Sequence, residues 1–357
     1  MLRFHSLRIA QVQPEAEDAV ALALDVPQEL APEYRGRPGQ HVVLRAAIDG
    51  EEVRRTYSLV NAPGELPLRL LVRTQPGGRM SGFIAGRLRA GERLEVLPPN
   101  GSFTPHEATL ATGLRVAFAA GSGITPVLSI TRSVLASGGR MMVFCGNRSA
   151  ARAMGLEDLE RLKDRYPERL SLHFIMSREP QEVELYNGRL DPDKVRRLSA
   201  AFFEPRSVTE YFVCGPGEIG SSVPEALAAL GVPAEKIRIE RFTVASPAEM
   251  SAAPAAPAAS AQSGQAQVTV TLDGRRRAFT MRLEEETVLE AAERAGIDLP
   301  FSCRSGVCST CRTKVVRGEV QMLQNYALED WELEQGYVLA CQSHCKSTVL
   351  ELDYDEK

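Results

Sequence analysis

Several features are missing from this 357-residue sequence, and each absence narrows what the chain can do. No apolar run reaches the roughly 18 residues that a membrane-spanning helix needs, so we expect no membrane association. The first residues carry no apolar signal-peptide core, which predicts a cytoplasmic protein. There are only five histidines, with no cluster of them that would hold an oxygenase iron. The net charge of −4 includes no basic excess, which argues against nucleic acid as a partner.

Composition divides the chain at one point. Residues 244–266 are mostly Ala, Pro, Ser, Gln and Gly, and such a segment cannot bury enough apolar surface to become ordered. We therefore predict a flexible linker there, between residues 1–243 and a C-terminal domain at 267–357. That domain holds 11 Lys/Arg against 16 Asp/Glu, a net charge of −5, which would allow electrostatic steering toward a protein partner.

The spacing of apolar residues changes within the first 243 residues. Residues 1–110 contain short alternating runs such as HVVLRAAI and RLEVLPP between Pro/Gly turns, a pattern typical of an antiparallel barrel or sandwich. From 111 to 243, buried-strand runs such as RVAFAA and EYFVC alternate with helical stretches, which predicts a parallel α/β sheet. The tail resembles a hairpin, then a helix, then a loop.

Five of the seven cysteines are clustered near the C-terminus, whereas the other two end apolar runs and are expected in or just after buried strands. Cys303, Cys308 and Cys311 follow the spacing C-x4-C-x2-C, and Cys341 comes after 29 intervening residues. This is the spacing of plant-type [2Fe–2S] clusters. Zinc is the alternative, although structural zinc sites usually use two close pairs of ligands. Cys345 is interpreted as a bystander thiol.

Two motifs in the first domain suggest a flavin site. RTYS (55–58) ends a predicted strand, and GGRMS (77–81) opens a predicted helix. Arg55 can bind an anion through two hydrogen bonds, Tyr57 offers a flat face to a ring system, and a helix N-terminus binds phosphate. Each motif alone could be an ordinary strand end or turn. Together, ahead of an α/β domain, they predict a bound flavin nucleotide.

A second glycine-rich turn, GSGITP, follows the first strand of the α/β domain. Gly121 and Gly123 would allow a pyrophosphate to approach the backbone, although Pro126 replaces the third glycine of the usual pattern. The next strand ends at Arg148 and Ser149 without an acidic residue, which favours NADPH over NADH. Arg148 as a solvated loop residue is the alternative. A further turn, VCGPGE, would cover the nicotinamide end.

Taken together, these and several further motifs resemble those of the ferredoxin–NADP reductase superfamily. In chain order, they are RTYS, GGRMS, PPNGSF, AAGSGITP, GNR, NGRLD, CGP, ERF and the four cysteines. The resemblance is greatest to reductase components of multicomponent oxygenases with a C-terminal plant-type ferredoxin domain. It implies an antiparallel FAD-binding β-barrel, a Rossmann-like parallel α/β nucleotide domain and a β-grasp ferredoxin domain. It also implies electron transfer from NADPH through FAD and [2Fe–2S] to a separate oxygenase component, a di-iron hydroxylase or epoxidase acting on an aromatic acyl-CoA.

The resemblance also implies roles for individual residues. The expected flavin contacts are Arg55, Thr56, Tyr57, Ser58, Val72, Gly78, Met80, Ser81 and Phe242. The expected NAD(P)H contacts are Gly121, Ser122, Thr125, Arg148, Ser149, Cys214 and Gly215. The residues expected at the reacting atoms are Ser58, Tyr57, Cys214 and Phe242, and the expected cluster ligands are Cys303, Cys308, Cys311 and Cys341.

Several alternatives remain open on sequence alone. The stretch AARAMGLEDL after GNRS lacks an expected aromatic residue, which weakens the preference for NADPH. Relatives of the phthalate dioxygenase reductase type bind FMN, whereas PPNGSF favours FAD. The chain could serve an aromatic-ring dioxygenase or a benzoyl-CoA epoxidase, with NADH as donor. An electron carrier that has lost its flavin, or a zinc-stapled binding module, would be a different class of protein.

Overall fold

The computed structural model describes residues 3–242 and 264–356 and divides the chain into two compact units. One unit spans Phe4–Phe242, and the other contains the C-terminal residues. Most of the predicted linker lies outside the described residues, but the first strand of the C-terminal unit already begins at Gln265, inside the predicted linker range. No helix in the described part of the chain is long and apolar enough to cross a membrane.

The N-terminal unit begins with a six-stranded antiparallel sheet in the order β4-β3-β6-β1-β2-β5. Its strands are β1 (His5–Ala16), β2 (Ala19–Asp25), β3 (His41–Ile48), β4 (Glu51–Ser58), β5 (Leu68–Arg73) and β6 (Arg93–Asn100), with helix α1 (Arg79–Gly86) after β5. A bridge between Leu59 and Leu70 joins the two sheet edges. Alternate residues such as Val42 and Leu44 point into a fully buried interior, so the alternating pattern closes as the predicted barrel.

The second half of this unit is a parallel five-stranded sheet in the order β11-β10-β7-β8-β9. Its strands are β7 (Leu114–Ala120), β8 (Arg140–Asn147), β9 (Leu170–Met176), β10 (Glu210–Gly215) and β11 (Ile237–Arg241). The helices are α2 (Ile124–Ala136), α3 (Leu156–Arg165), α4 (Pro192–Phe202) and α5 (Ile219–Ala229). Apolar cores lie on both faces of the sheet, as the near-continuous apolar strands predict.

The order of these strands reverses at β7, which has β8 on one side and β10 on the other. Loops that leave the carboxyl ends of β7 and β10 therefore diverge and open a crevice, the usual ligand site of such sheets. At the opposite ends of the same strands, Arg115 is fully buried and its Nε donates to Glu210 Oε2 at 2.8 Å. This pair joins the two strands that frame the crevice.

Two arginine–aspartate networks join the barrel to the parallel sheet within this unit. Asp18, on the β1–β2 turn, accepts hydrogen bonds from Arg73 of β5 and from Arg152, which precedes α3. Asp158 of α3 accepts hydrogen bonds from Arg69 of β5 at 3.1 Å and from Arg132 of α2 at 2.6 Å. Because each network contains residues of both halves, it fixes the barrel relative to the nucleotide half.

The C-terminal unit is a mixed sheet in the order β13-β12-β18-β14-β16, with a separate β15–β17 ribbon. Its strands are β12 (Gln265–Leu272), β13 (Arg275–Arg282), β14 (Arg312–Arg317), β15 (Val320–Met322), β16 (Tyr337–Leu339), β17 (Ser343–Cys345) and β18 (Val349–Asp353). The helices are α6 (Val288–Arg294) and α7 (Asp330–Glu334). A capping box between Thr287 and Glu290 begins α6, and the apolar face of α6 packs on the sheet as in the predicted β-grasp fold.

Candidate functional site

The four predicted cluster ligands converge in the C-terminal unit. Cys303, Cys308 and Cys311 lie on the loop between α6 and β14, and Cys341 lies on the turn after β16. The pKa of Cys303 lies far below its usual range, chiefly because the thiols of Cys308 and Cys341 hydrogen-bond to its sulfur. The same contacts with Cys303 raise the pKa values of Cys308 and Cys341. Cys341 also contacts Cys311, so the four sulfurs form one connected group.

The backbone of the cysteine loop is shaped to surround a sulfur-bound group. Arg304, Gly306 and Ser309 have φ values of 57°, 74° and 51°, in the left-handed region that non-glycine residues rarely adopt. The Ser305 amide donates to the Cys303 sulfur at 3.4 Å. Amides that point at ligand sulfurs help to set the reduction potential of an iron–sulfur cluster.

The donor set of this loop fits a two-iron cluster. Across residues 3–242 and 264–356, no group of three or more His, Cys, Asp or Glu side chains is placed to hold a single metal ion. The four thiols contact one another as one connected group, and a [2Fe–2S] cluster takes four thiolates, two for each iron. The buried Tyr354 hydroxyl has no hydrogen-bond partner in the described structure, and the charges of Cys311 and Cys341 reinforce the rise in its pKa that burial causes.

Cys345 lies close in sequence but has a partner of its own. Its side chain is fully buried, and its sulfur donates to the Ser347 carbonyl oxygen at 2.9 Å. All seven cysteines of the chain are free thiols. Cys345 therefore serves as a natural comparison for the four loop cysteines.

A row of polar side chains on the barrel fits the predicted flavin site. Ser58 and Asn100 pair directly with His41 across strands β4, β3 and β6, so the three side chains share one face. The Ser58 hydroxyl, both His41 ring nitrogens and both Asn100 amide atoms are buried and have no hydrogen-bond partner in the described structure. Buried polar atoms rarely remain unpaired, which indicates that this polar row receives a ligand.

The other predicted flavin residues fall into two groups. Arg55 is exposed, Thr56 and Tyr57 are half-buried, and burial raises the pKa of Tyr57. Val72 differs, because its side chain is fully buried inside the barrel and only its backbone could meet a ligand.

Gly78 lies immediately before α1, and a β-carbon there would come within 2.5 Å of the Ser81 hydroxyl. That hydroxyl accepts a hydrogen bond from the Gln75 amide at 3.1 Å, which ties the approach loop to the first turn of the helix. Met80, in the first turn of the same helix, is buried in the barrel core. The tight turn therefore leaves the N-terminus of α1 open to a phosphate.

A cavity of about 1300 Å³ opens at the carboxyl ends of the parallel strands. Gly121, Ser122 and Arg148 line it, as predicted. Thr125 is buried, and its hydroxyl donates to the Ser122 carbonyl oxygen at 3.0 Å, which fixes the turn before α2. Ser149 follows Arg148 and precedes a short helical turn.

The two glycine turns that flank the crevice touch each other. A β-carbon on Gly123 would come within 2.1 Å of the Cys214 carbonyl oxygen, and one on Gly215 within 2.8 Å of the Ala120 side chain. Backbone therefore meets backbone where the sheet order reverses, and the Cys214 side chain is buried at that point. Phe242 follows β11 and is 36% exposed, so it does not belong to the apolar core.

Sequence reasoning missed two arginines at the rim of the cavity. The Arg178 amide donates to the Arg148 carbonyl oxygen at 2.9 Å, which brings the ends of β8 and β9 side by side. The Gly188 amide donates to the Met176 carbonyl oxygen, and Arg189 follows. Arg148, Arg178 and Arg189 are exposed and line the same cavity. Two turns in the sequence could have shown them. SREP contains Arg178 and directly follows β9, and NGRLD contains Arg189 and pairs with the end of β9.

Sequence reasoning also missed a buried acid at the reacting end. Glu240 pairs with Cys214 across β11 and β10, and the two side chains are 4.0 Å apart. The other carboxylate oxygen of Glu240 lies 3.7 Å from His41 Nδ1. Burial raises the pKa values of Glu240 and Cys214, and the charge of Glu240 raises that of Cys214 further.

Three protein-family models match successive parts of the chain. They are an oxidoreductase FAD-binding domain at residues 7–104, an oxidoreductase NAD-binding domain at 118–223 and a 2Fe-2S iron-sulfur cluster binding domain at 270–346. The polar row lies within the first of these matches and the cysteine loop within the third, and residues of the first and second matches line the cavity. The three cofactor-binding domains expected from the sequence are therefore confirmed.

Full-length relatives carry the same arrangement. The chain is 40% identical over 361 residues to a subunit of the 1,2-phenylacetyl-CoA epoxidase of Escherichia coli (strain K12), covering 100% of this chain and 99% of the relative. It is 32% identical over 358 residues to the ferredoxin reductase component of the Rhodococcus rhodochrous 3-ketosteroid-9-alpha-monooxygenase, covering 98% and 96%. Among solved structures, phthalate dioxygenase reductase matches with a TM-score of 0.59 at 23% identity, covering 98% of both chains. The chain belongs to the oxygenase reductase components of the ferredoxin–NADP reductase superfamily, which combine FAD-binding, NAD-binding and C-terminal [2Fe–2S] domains.

Proposed function

We propose that this chain is the reductase component of a phenylacetyl-CoA epoxidase and passes electrons from NADPH to a di-iron oxygenase component in phenylacetate degradation. The observation that carries the proposal is the 40% identity to the epoxidase polypeptide of E. coli over the entire chain. Stretches such as GQHVVLRAAIDGEEVRRTYSL, KDRYPERL and GVCSTCRTKVVRGEVQMLQNY resemble the reductase of that system. We assign the chain to the cytoplasm, since seven free thiols suit a reducing compartment.

The arginines at the cavity rim support NADPH as the electron donor. A 2′-phosphate is doubly charged and is best bound by arginines, whereas a free 2′-hydroxyl is usually bound by an acid. Arg148, Arg178 and Arg189 approach this rim from three separate turns. In this proposal Arg148 and Ser149 contact the 2′-phosphate, while Gly121 and Ser122 give their amides to the pyrophosphate.

The flavin and the cluster supply the redox chemistry, since a flavin accepts two electrons together and a [2Fe–2S] cluster passes one at a time. In this proposal the protein positions and insulates them. The polar row and Tyr57 hold the flavin ring, and the N-terminus of α1 binds its phosphates beside Gly78 and Ser81. Cys214 and Phe242 keep water from the reacting face. The four loop cysteines hold the cluster.

A reductase serving another oxygenase is the second candidate. The 32% identity to the R. rhodochrous steroid monooxygenase reductase favours it, because this relative also matches the full chain. The difference between the two candidates lies in the oxygenase partner. The test must therefore include the partner as well as the reductase.

The test of electron transfer is an anaerobic titration of the purified protein with NADPH and with NADH, followed by absorbance and low-temperature EPR. We expect flavin bleaching, a rhombic [2Fe–2S] signal and faster reduction by NADPH. Chromatography of the released flavin should show FAD. Flavin bleaching without a cluster signal would refute the proposal, as would a colourless protein that contains stoichiometric zinc.

Two matched cysteine variants sharpen this test. Cys308→Ser should still be reduced by NADPH but should lose the cluster signal and the supply of electrons to the oxygenase. Cys345→Ser should keep both, because its thiol hydrogen-bonds within its own loop, to Ser347. Epoxidation of phenylacetyl-CoA by the purified epoxidase oxygenase component should require the unmodified loop. Failure to support that oxygenase, with normal cluster reduction, would favour another partner.

A further inference from the structure

Cys341 stands apart from the other three expected cluster ligands. Cys303, Cys308 and Cys311 share one loop, whereas Cys341 lies on a short helical turn, Ala340–Gln342, between β16 and β17. Because ionised thiols repel one another, a ligand on a separate segment needs its own ties to the loop. The contacts of this turn therefore decide how well Cys341 is held beside the other sulfurs.

Two hydrogen bonds tie this turn to the two ends of the cysteine loop. The Ala340 amide donates to the Cys311 carbonyl oxygen at 3.1 Å. The Gln342 side chain donates from Nε2 to the Arg304 carbonyl oxygen at 2.9 Å, across 38 positions of sequence. The first is a backbone bond that most residues could make, whereas the second depends on the Gln342 side chain.

The Gln342 side-chain amide has two hydrogens and three acceptors near them. Besides the Arg304 oxygen, its Nε2 lies 2.9 Å from the Cys341 carbonyl oxygen and 3.7 Å from the Cys341 sulfur. Carbonyl oxygens only accept hydrogen bonds, so the nitrogen of the amide, and not its oxygen, must face them. One hydrogen is therefore shared between the oxygen and the sulfur of Cys341, and ionisation of the sulfur strengthens its share.

The surroundings of Gln342 keep its amide in this position. The residue is 8% exposed, and its Cγ would lie 3.3 Å from a β-carbon placed on Gly306 in the cysteine loop. A hydrogen bond that is shielded from water has a larger electrostatic effect on its acceptor than an exposed one. The Ser305 amide donates to the Cys303 sulfur, so the first and last ligands each have an N–H donor, from the backbone at Cys303 and from a side chain at Cys341.

We propose that Gln342 is a positioning residue for Cys341, which fastens this ligand to the cysteine loop and raises the reduction potential of the bound cluster through its N–H. Reduction adds one negative charge, part of which lies on the ligand sulfurs, and a donated N–H stabilises that charge. Electron transfer from the flavin to the cluster thereby becomes more favourable. The inference rests on the proposed role of the four loop cysteines as cluster ligands and not on the identity of the oxygenase.

The test uses the full-length holoprotein and Gln342→Met, which keeps the length of the side chain and removes both hydrogens. In an anaerobic redox titration followed by EPR, the midpoint potential of the cluster should fall. Loss of one hydrogen bond should shift the reduction equilibrium about fivefold, which is roughly 40 mV at about 59 mV per tenfold change. Gln324→Met is the control, because Gln324 is half-buried beside the same loop and its side chain makes no hydrogen bond in the described structure.

A second readout reports how firmly Cys341 is held. The rate at which a chelator removes iron from the oxidised protein should rise about fivefold in Gln342→Met, because the bond to the Arg304 carbonyl oxygen is lost. A cluster whose midpoint potential is the same in Gln342→Met as in the wild type would overturn the proposal, whatever the rate of iron release. A wild-type protein without a cluster would refute the proposed function and this inference together, which distinguishes that failure from failure of the inference alone.

A measurement on the wild type covers the case in which Gln342→Met is purified without its cluster. Glutamine labelled with nitrogen-15 only at its side-chain amide is incorporated into the full-length protein, and the reduced cluster is examined by pulsed EPR. We expect a nitrogen-15 hyperfine coupling, which should persist in Gln324→Met. Absence of the coupling in the wild type, or its loss in Gln324→Met, would overturn the proposal.

Discussion

The buried ion pair between Arg115 and Glu210, at the ends of β7 and β10 that lie away from the crevice, gives the most quantitative prediction. Arg115 and Glu210 have side-chain exposures of 0% and 4%, with 2.8 Å between Nε and Oε2. Arg115 also donates to the Thr109 hydroxyl at 2.7 Å. Removing one partner of such a pair leaves a buried charge unpaired, which costs roughly 3–5 kcal/mol. For a unit of this size, that lowers the thermal midpoint by roughly 6–20 °C.

The measurement is a double-mutant cycle monitored by thermal and urea unfolding. Arg115→Met and Glu210→Leu should each show the full loss, whereas the double variant should lose much less than their sum, because it leaves no charge unpaired. The exposed pair Arg161–Glu157 provides the control, with side-chain exposures of 69% and 81%, and Arg161→Met should change little. Additive losses in the double variant would refute the reasoning, as would single losses no larger than that of the control.

Three further predictions concern the cavity, the cysteine loop and the domain contacts. In steady-state kinetics, Arg178→Ala should raise the KM for NADPH by roughly 10–100-fold, because it removes one charge-assisted hydrogen bond to the 2′-phosphate. The KM for NADH should be unchanged. Gly306→Ala should lower the iron and sulfide content per chain, because Gly306 has a φ of 74° and a β-carbon there would lie 3.0 Å from the Gln324 carbonyl oxygen. Gly274→Ala is the control and should keep its cluster, since Gly274 has a similar φ but open space around it. Asp158 has a pKa below its usual range, because two arginines outweigh the opposing effect of burial. The stability it contributes is full above about pH 4 and is lost as pH falls through the lowered pKa, so thermal unfolding of Asp158→Asn should depend less on pH between about 5 and 3 than that of the wild type.

The parts of the fold set by local pattern could be predicted from the sequence. Strand periodicity and Pro/Gly turns distinguished the barrel from the parallel sheet, and Cys145 and Cys214 lie within buried strands as expected. The cysteine spacing predicted a cluster domain because all the ligands but one lie within nine residues. Such features depend on neighbours in the chain, and a single sequence contains them.

The parts set by long-range register could not be predicted. The polar row exists only because β3 pairs with both β4 and β6, so neither His41 nor Asn100 drew attention alone. Glu240 reaches His41 across 199 positions of sequence. Val72 was expected at the flavin, yet strand alternation turns its side chain into the barrel core. Arg178 became visible only when β8 and β9 were seen to end together.

The two aspartate networks have a consequence for how the molecule can be divided. Asp158 belongs to the nucleotide half, and its side chain is only 6% exposed, but one of its arginines, Arg69, belongs to the barrel. Asp18 belongs to the barrel and one of its arginines, Arg152, to the nucleotide half. A cut near residue 110 would strip each carboxylate of a counter-charge and expose it together with apolar surface. The smallest fragment that should act as a stand-alone dye reductase is therefore Phe4–Phe242 as a whole, a natural module for coupling to other one-electron acceptors.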